Sequence, residues 1–403
     1  MLKPSTCRIY SPYCKLLISC FITMFVFTVS TFSQSDEKEV NLHWCDFPSL
    51  PPPAGESVQP GLAGPVSGVD GNFMFVAGGA NFEDGMPWNG GQKKYHDLIY
   101  LLEKKSETVY LWKQAAEKLP YPMAYSACVS IPQGVVSIGG EDEHHPVKEV
   151  FLFSFSDGRI DRMNLPDLPK AISSASAATI GSAIFVAGGL DVSGASNAFY
   201  SLDMKNPEDG WTVLPQLPEA VSHAVVVSQQ DGSEKCIYLI GGRNKTTEVS
   251  TFLSSIWKYS PSSRKWRSEG DITSNGKIVR LSAGTGIAFG SYHIVLVGGD
   301  PGIFFNRTER LNTAIEKAPG EDEKQKLRME KEVMLTNHPG FSKEVLSFNT
   351  LTKVWEKIGE TGHESAVTTT AFLWYGTAII PSGEIRPGIR TPNISGINLQ
   401  YNK

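Results

Sequence analysis

The stretch 73–79 (FMFVAGG) is a short apolar strand that ends in a glycine pair, and its recurrence decides the fold. Four further copies keep both glycines, and a sixth, TAIIPSG, has lost the first one. The second glycines are 61, 49, 53, 57 and 84 residues apart. Except for the last gap, these spacings are close to the kelch period of roughly 50 residues. The closing glycines of the six copies are Gly79, Gly140, Gly189, Gly242, Gly299 and Gly383.

Each glycine pair is followed by a second β-rich segment and, in four units, by a tryptophan-bearing segment. Four strands per unit, six units and no helical period predict an all-β fold, a six-bladed kelch-type β-propeller. The last unit ends at Lys403 before its outer strand, whereas 42–47 (LHWCDF) is a strand without a unit of its own. We therefore expect 34–403 to form one propeller in which the N-terminal strand completes the sixth blade.

The long gap in the fifth repeat holds an insertion over 301–342. Its middle, 311–334, is rich in Lys and Glu and has helical character on both sides of a Pro319-Gly320 break. Two interpretations are open, a solvated surface excursion or a lid, because the insertion leaves the blade beside the glycine loops.

The overall composition excludes several classes of protein. With 37 basic and 42 acidic residues, the net charge of −5 gives no reason to expect a nucleic-acid partner. A chain with 41 % hydrophobic and 20 % charged residues, 38 Gly and 25 Pro is globular and rich in turns. Disorder, collagen and coiled coil are excluded.

Residues 1–33 have the layout of a signal peptide. Lys3, Arg8 and Lys15 precede the apolar run 16–32, and small residues stand three and one before a cut ahead of Gln34. We expect a periplasmic or secreted protein with no stable membrane span after cleavage. The apolar run is also long enough for an uncleaved anchor, and Cys20 lies in a loosely lipoprotein-like box.

Three cysteines, Cys45, Cys128 and Cys236, follow the leader. An odd, widely spaced set does not make a disulfide framework. We expect three buried thiols, with one bridge left open.

The glycine pairs also indicate where chemistry belongs. In an antiparallel four-stranded blade, the loop after the second strand lies on the same side as the link to the next blade, so six such loops surround one mouth of the channel. The acidic tract 141–145 (EDEHH) on one loop lacks a metal-binding spacing, and we expect a solvated loop and no metal.

The loop 383–391 (GEIRPGIRT) is the sharpest chemical candidate. It brings one carboxylate and two guanidinium groups together at the mouth. A guanidinium pairs with a substrate carboxylate, and a partly desolvated carboxylate can exchange protons with a hydroxyl. From composition alone, a surface ion-pair loop stays an alternative.

The pattern Gly383-Glu384-x-x-Pro387-Gly388-x-Arg390-Thr391 resembles the signature of the N-acetylneuraminate epimerases, or sialate mutarotases. The resemblance extends to 78–82 (GGANF) with 91–94 (GQKK), and to 124–126 (AYS) with 139–141 (GGE). It covers essentially the whole chain after the leader. The position of the signature near the C-terminus resembles the cyclically permuted mutarotase subgroup.

The resemblance implies an isomerase that interconverts the α- and β-anomers of free sialic acid without a cofactor. It assigns Glu384 as the catalytic residue and Arg390 as the substrate-binding residue. Arg386 stands where relatives can carry lysine and is not assigned. Asn81, Glu141 and Arg243 are further pocket candidates from their loop positions, and the sequence leaves a homodimer open.

Two alternatives to this function remain at the level of sequence. One is a non-catalytic exported propeller that binds glycans or a protein partner. The other is a mutarotase for a different sugar acid, because the specificity contacts are spread over six loops.

Overall fold

The computed structural model describes residues 40–156, 159–245 and 248–401. The predicted signal peptide, with its alternatives as anchor or lipoprotein box, lies outside these residues. Within them, six four-stranded antiparallel sheets confirm the six-bladed propeller.

The strands of each blade are given from the channel outward. Blade 1 consists of Val66–Asp70, Phe73–Ala77, Leu98–Lys104 and Tyr110–Lys118, and blade 2 of Ala127–Ile131, Gly134–Ile138, Val150–Ser156 and Arg159–Leu165. Blade 3 consists of Ser176–Ile180, Ala183–Ala187, Phe199–Asp203 and Thr212–Val213, and blade 4 of Val225–Gln230, Lys235–Ile240, Ser255–Ser260 and Lys265–Asp271. Blade 5 consists of Thr285–Phe289, His293–Val297, Glu344–Asn349 and Trp355–Glu360, and blade 6 of Phe372–Trp374, Thr377–Pro381, Ile394–Tyr401 and Val40–Phe47.

The hydrophobic core lies between the blades. Successive side chains of a strand point to opposite faces of its sheet, and in Phe73–Ala77 both faces are covered. Phe75 packs toward blade 2, where its ring stacks on Phe153 with centroids 5.3 Å apart, whereas Met74 and Val76 pack toward blade 6. This double burial explains why the repeated strand reads as a continuous apolar run. Apolar clusters of this kind fill all six interfaces between neighbouring blades.

The N-terminal strand closes the ring, as the sequence predicts. Val40–Phe47 pairs antiparallel with Ile394–Tyr401 along its whole length, from Val40 opposite Tyr401 to Phe47 opposite Ile394. In addition, Trp44 Nε1 donates to the backbone oxygen of Glu360 in blade 5 at 3.0 Å. The first and last described strands therefore belong to one sheet.

A ring of six backbone hydrogen bonds surrounds the channel. One residue just before each innermost strand donates its N–H to the carbonyl of the equivalent residue in the preceding blade, over 2.6–3.0 Å. Every member has a positive φ, between 51° and 62°, which costs energy for the five that are not glycine. The members of this backbone ring are Gly64, Tyr125, Ser174, His223, Ala283 and Thr368.

The insertion in blade 5 is helical, with a break where the sequence predicts one. Helix α1 (Ile303–Lys317) and helix α2 (Glu321–Thr336) form a helical hairpin between the second and third strands of the blade. Among the described residues, neither these helices nor any other is long and apolar enough to cross a membrane.

Short elements complete the connections. Two 3₁₀ turns cover Pro87–Asn89 and Pro207–Asp209. Five two-stranded ribbons extend from the blades: Ala80–Asn81 with Lys94–Tyr95, Leu190–Asp191 with Gly194–Ala195, Arg243–Asn244 with Thr251–Phe252, Thr273–Ser274 with Lys277–Ile278, and Glu384–Arg386 with Ile389–Arg390.

The three cysteines of the described chain are free thiols. Cys128 and Cys236 are buried, as expected, and Cys45 in the outer strand of blade 6 is half-buried. The thiol of Cys45 is less covered because an outermost strand has a neighbouring strand on one side only.

Candidate functional site

One structural position recurs in all six blades at one mouth of the channel. It is the residue directly after the repeated glycine, and in each blade it forms an antiparallel bridge with the residue that precedes the backbone ring. The glycine loops therefore lie at one mouth, as the sequence predicts. Four of the six positions carry charge; in blade order the residues are Ala80, Glu141, Leu190, Arg243, Asp300 and Glu384.

A cavity of about 780 Å³ lies at this mouth. Arg243, Asp300 and Glu384 line it from blades 4, 5 and 6, and Phe82 and Lys93 line it from the blade 1 loop. Tyr125, Ala283 and Thr368 of the backbone ring border it. Beyond the ring, the innermost strands enclose a separate channel cavity of about 310 Å³. The ring thus separates the two spaces.

Glu384 faces the cavity with its side chain 19 % exposed. Its Oε1 accepts hydrogen bonds from the backbone N–H of Gly388 at 3.0 Å and from Arg390 at 3.2 Å. Gly388 has a φ of 75°, which lets the loop turn back onto the carboxylate. The carboxylate is therefore fixed by its own loop.

Arg390 is nearly fully enclosed, with its side chain 4 % exposed. Besides its contact with Glu384, Nε donates to the carbonyl of Ala80 at 3.3 Å, and the guanidinium carbon lies 4.9 Å from the centre of the Phe82 ring. Arg390 therefore joins blade 6 to the first glycine loop while lining the cavity.

Tyr125 of the backbone ring is one of the aromatic residues that line the cavity. Burial raises the pKa of the Tyr125 phenol to about 12, although the nearby Arg390 works against the shift. Lys93 Nζ lies 5.1 Å from the centre of the Tyr125 ring and forms a 3.0 Å ion pair with Glu141. Tyr95 also donates its hydroxyl to Glu141 at 2.6 Å. Because its pKa is raised by burial, Tyr125 is neutral at physiological pH.

The helical hairpin forms the outer wall of the cavity. Phe304 and His338 both line it, with ring centroids 4.6 Å apart. Burial lowers the pKa of His338, and its Nδ1 accepts the backbone N–H of Gly340 at 3.0 Å. Trp88 of the blade 1 loop packs against the apolar cluster of the hairpin, which contains Leu311. The hairpin therefore reaches across the mouth from blade 5 to blade 1.

The other residues singled out from the sequence have different surroundings. Asn81 is buried, bonding the carbonyl of Gly61 and the ring of His96, so it supports the loop from behind the cavity. Glu141 is not among the described residues that line the cavity, but it pairs with Lys93, which does line it. Arg386 points away from the cavity to Glu364, with Nε at 2.9 Å.

In the acidic tract, Asp142 accepts the backbone N–H groups of His144 and His145. No three His, Cys, Asp or Glu side chains converge as metal ligands in the part of the chain that the structure describes.

Sequence reasoning underrated two sets of site residues. Tyr125 and His223 both belong to the backbone ring. Tyr125 lies in the stretch 124–126 that resembles the family, whereas the one sequence signal for His223 is its place just before an innermost strand. Asp300 is not among the residues assigned from the sequence, although it follows the repeated glycine as Glu384 does. Burial raises the pKa of Asp300, with opposition from the Gly302 N–H and Arg243.

The fold and the site together define a six-bladed propeller with a charged cavity of small-molecule size at one mouth. The family model for N-acetylneuraminate epimerase matches residues 27–161 and 165–403. The chain belongs to the N-acetylneuraminate epimerase family.

Curated relatives match over part of their length. The N-acetylneuraminate epimerase of Brucella melitensis biotype 1 is 37 % identical over 127 residues, which cover 29 % of this chain and 31 % of the relative. The N-acetylneuraminate epimerase of Haemophilus influenzae strain PittEE is 26 % identical over 243 residues, covering 59 % of this chain and 60 % of the relative. The matches thus span between about a third and three fifths of these relatives.

A solved structure supports the fold. The structure of YjhT has a TM-score of 0.60 to this chain at 12 % identity, covering 88 % of this chain and 99 % of the other. At this identity the likeness concerns the fold.

Proposed function

We propose that this protein is a carbohydrate isomerase that accelerates interconversion of the α- and β-anomers of N-acetylneuraminate. The observation that carries the proposal is the pair Glu384–Arg390 in a cavity of about 780 Å³. An immobilised carboxylate beside a guanidinium suits a reaction that moves one proton on an anionic sugar. Family membership and the names of the relatives support the choice of substrate.

In the proposed mechanism, Glu384 accepts the proton of the anomeric hydroxyl as the bond between C2 and the ring oxygen breaks. The departing ring oxygen takes a proton from solvent, which gives the open 2-keto form. The carbonyl then turns its other face, the ring oxygen adds back and loses its proton, and Glu384 returns a proton to the new hydroxyl. No net proton or electron is consumed. Arg390 contacts the anomeric end of the substrate beside Glu384.

The unequal hydrogen bonding of its two oxygens suits Glu384 for this role. The Gly388 N–H and Arg390 both bond Oε1, and Oε2 has no hydrogen-bond partner among the described residues. One oxygen is then held while the other can take the proton.

We also infer from residues 1–33 that the protein acts in the periplasm or is secreted, where free sialic acid would reach it.

The test is proton NMR of freshly released α-N-acetylneuraminate with and without the purified protein. We expect faster approach to an unchanged equilibrium, and a loss of about 10²-fold or more in kcat for Glu384→Gln. Gln keeps an acceptor for Gly388 but cannot take the proton. Glu364→Gln is the matched control, because Glu364 pairs with the outward-pointing Arg386.

The contrary outcomes are informative. Unaltered exchange by Glu384→Gln would remove the proposed role of this carboxylate. Saturable binding without any acceleration by the wild-type protein would instead identify a binding module.

A further inference from the structure

Arg243 is a second guanidinium in the cavity, with an environment unlike that of Arg390. It directly follows the repeated glycine of blade 4, the position that Glu384 occupies in blade 6. Its guanidinium carbon lies 4.5 Å from the centre of the Phe305 ring and 5.8 Å from that of Phe252. Two aromatic faces thus hold it in place, one from helix α1 and one from its own ribbon.

The charge of Arg243 is not neutralised by an ion pair. Among the described residues, no carboxylate oxygen lies within 4.0 Å of its nitrogens, whereas three other cations of the cavity wall are paired: Lys93 with Glu141, Lys245 with Glu309, and Arg390 with Glu384. Lys331 of helix α2 also has no acidic partner in the described part of the chain, but it bonds the amide oxygen of Asn312. An unpaired buried guanidinium is costly unless an anion completes its surroundings.

A circuit of hydrogen bonds fixes the direction of Arg243. Its Nη2 lies 3.3 Å from Nε2 of His223. Since a guanidinium can only donate, Nε2 accepts and the imidazole carries its proton on Nδ1, 3.1 Å from the hydroxyl of Ser222. That hydroxyl in turn donates to the backbone oxygen of Arg243 at 3.3 Å.

His223 is suited to this task because it is neutral. Burial, with the nearby Arg243, lowers the pKa of His223 well below its ordinary value. As a member of the backbone ring, it is also held by main-chain hydrogen bonds to Ser174 and Ala283. A rigid acceptor therefore occupies one edge of the guanidinium and leaves the remaining donors for a ligand.

We propose that Arg243, positioned by His223, binds the carboxylate of the substrate and selects sugar acids over neutral sugars. The assignment rests on the proposed function. It gives the two guanidinium groups of the cavity different contacts with the substrate. Arg390 gives part of its donors to Glu384 and Ala80, so it contacts the reacting centre. Arg243 gives one donor to His223 and keeps the others for bidentate pairing with a carboxylate.

The experiment compares two ligands, N-acetylneuraminate and its methyl ester, which lacks the negative charge. For Arg243→Gln we expect KM for the acid to rise about 10- to 100-fold, the range for losing a charged hydrogen-bonded contact, with little change in kcat. KM for the ester should stay within about 3-fold of the wild-type value. Lys331→Gln tests whether the other unpaired cation of the cavity wall binds the carboxylate instead. Arg267→Gln is the matched control, because Arg267 lies on the exposed outer strand of the same blade as Arg243.

His223 is tested as a positioning residue. His223→Ala should raise KM for the acid and not for the ester, and His223→Gln, whose amide oxygen can accept from the guanidinium, should restore part of the affinity. Thermal melting of each variant checks that the backbone ring is intact.

Several results would overturn the assignment. These are an equal loss for acid and ester in Arg243→Gln, no loss for either, or an acid-specific loss in Lys331→Gln alone. If the wild-type protein accelerates neither ligand, the proposed function fails. Equilibrium binding of the acid and the ester to wild type and Arg243→Gln then still decides whether Arg243 binds a carboxylate.

Discussion

At the scale of single residues, the site depends on how two arginines are occupied. Arg390 is nearly fully enclosed and shares its donors between Glu384 and Ala80, whereas Arg243 bonds a neutral imidazole. The same side chain therefore serves two purposes. A guanidinium paired with a carboxylate fixes that carboxylate in place, and one without an ion pair is available to an anionic ligand.

Substitution of Arg390 should affect both substrate binding and the chemical step. Arg390→Gln removes the donor and the positive charge beside Glu384, so we expect kcat to fall about 10- to 100-fold and KM to rise together with it. Steady-state anomer exchange measured by NMR separates the two constants. Arg386→Gln, in the same loop but paired with Glu364, should leave both unchanged. A change in KM alone would mean that Arg390 does not support Glu384.

At the scale of elements, the helical hairpin is the part that turns an open mouth into a cavity. It supplies Phe304 and His338 to the wall and Phe305 to the face of Arg243. Its contact with Trp88 spans from blade 5 to blade 1. This placement favours the lid interpretation over a solvated excursion.

Trp88→Ala should loosen this contact. We expect kcat/KM to fall about 10-fold, because the apolar contact that holds the hairpin over the mouth is lost, while the melting temperature changes by less than about 3 °C. Cleavage by a protease at 318–320, between the two helices, should become faster. Trp88→Phe should retain most of the activity. Wild-type kcat/KM in Trp88→Ala would show that the hairpin is a static wall.

The sequence predicted the repeated elements well and the cavity only in part. The glycine pairs, the closing strand and the helical break at Pro319-Gly320 are local signals, because each depends on backbone conformation over a few residues. The choice of Arg243 over Asn81 as a cavity residue depends on which way a loop side chain turns, and the role of Trp88 depends on contacts between distant blades. Side-chain orientations and contacts between distant residues produce no repeated pattern in a single sequence.

At the scale of the whole molecule, closure by the first strand should govern stability. A chain that begins at residue 48 loses the complete pairing of Val40–Phe47 with Ile394–Tyr401 and leaves an unpaired sheet edge. We expect it to melt at least about 5 °C lower than a chain that begins at Val40, and to aggregate on heating. Calorimetry of the two chains makes the comparison. Equal melting temperatures would show that the ring does not need its outer closing strand.

Four imidazoles with lowered pKa values should make stability depend on pH. Burial lowers the pKa of His96, His223, His293 and His338 from the ordinary 6.5. The folded state therefore takes up these protons less readily than the unfolded chain. The associated stability is complete above about pH 6.5 and is lost as the pH falls from there toward the lower folded-state values.

Urea unfolding at pH 7.5, 6.0 and 5.0 measures this dependence. We expect the free energy of unfolding to decrease at each step, by up to about 1.4 kcal/mol per pH unit for each fully shifted histidine. Asp300 acts in the opposite direction, since its pKa is raised. A free energy that stays level or increases between pH 7.5 and 5.0 would contradict the prediction.

The backbone ring also limits how the gene could change. Each of its six members donates one backbone hydrogen bond to the preceding blade and accepts one from the next, so every N–H and C=O in the circle is used. Deleting or duplicating one repeat would alter the circumference, and every member would have to find a new angle to its neighbours. The main-chain hydrogen bonds therefore fix the number of repeats. Moving the chain break from one blade to another leaves the circle untouched, so recombination can shuffle where this protein starts and stops but not how many blades it has.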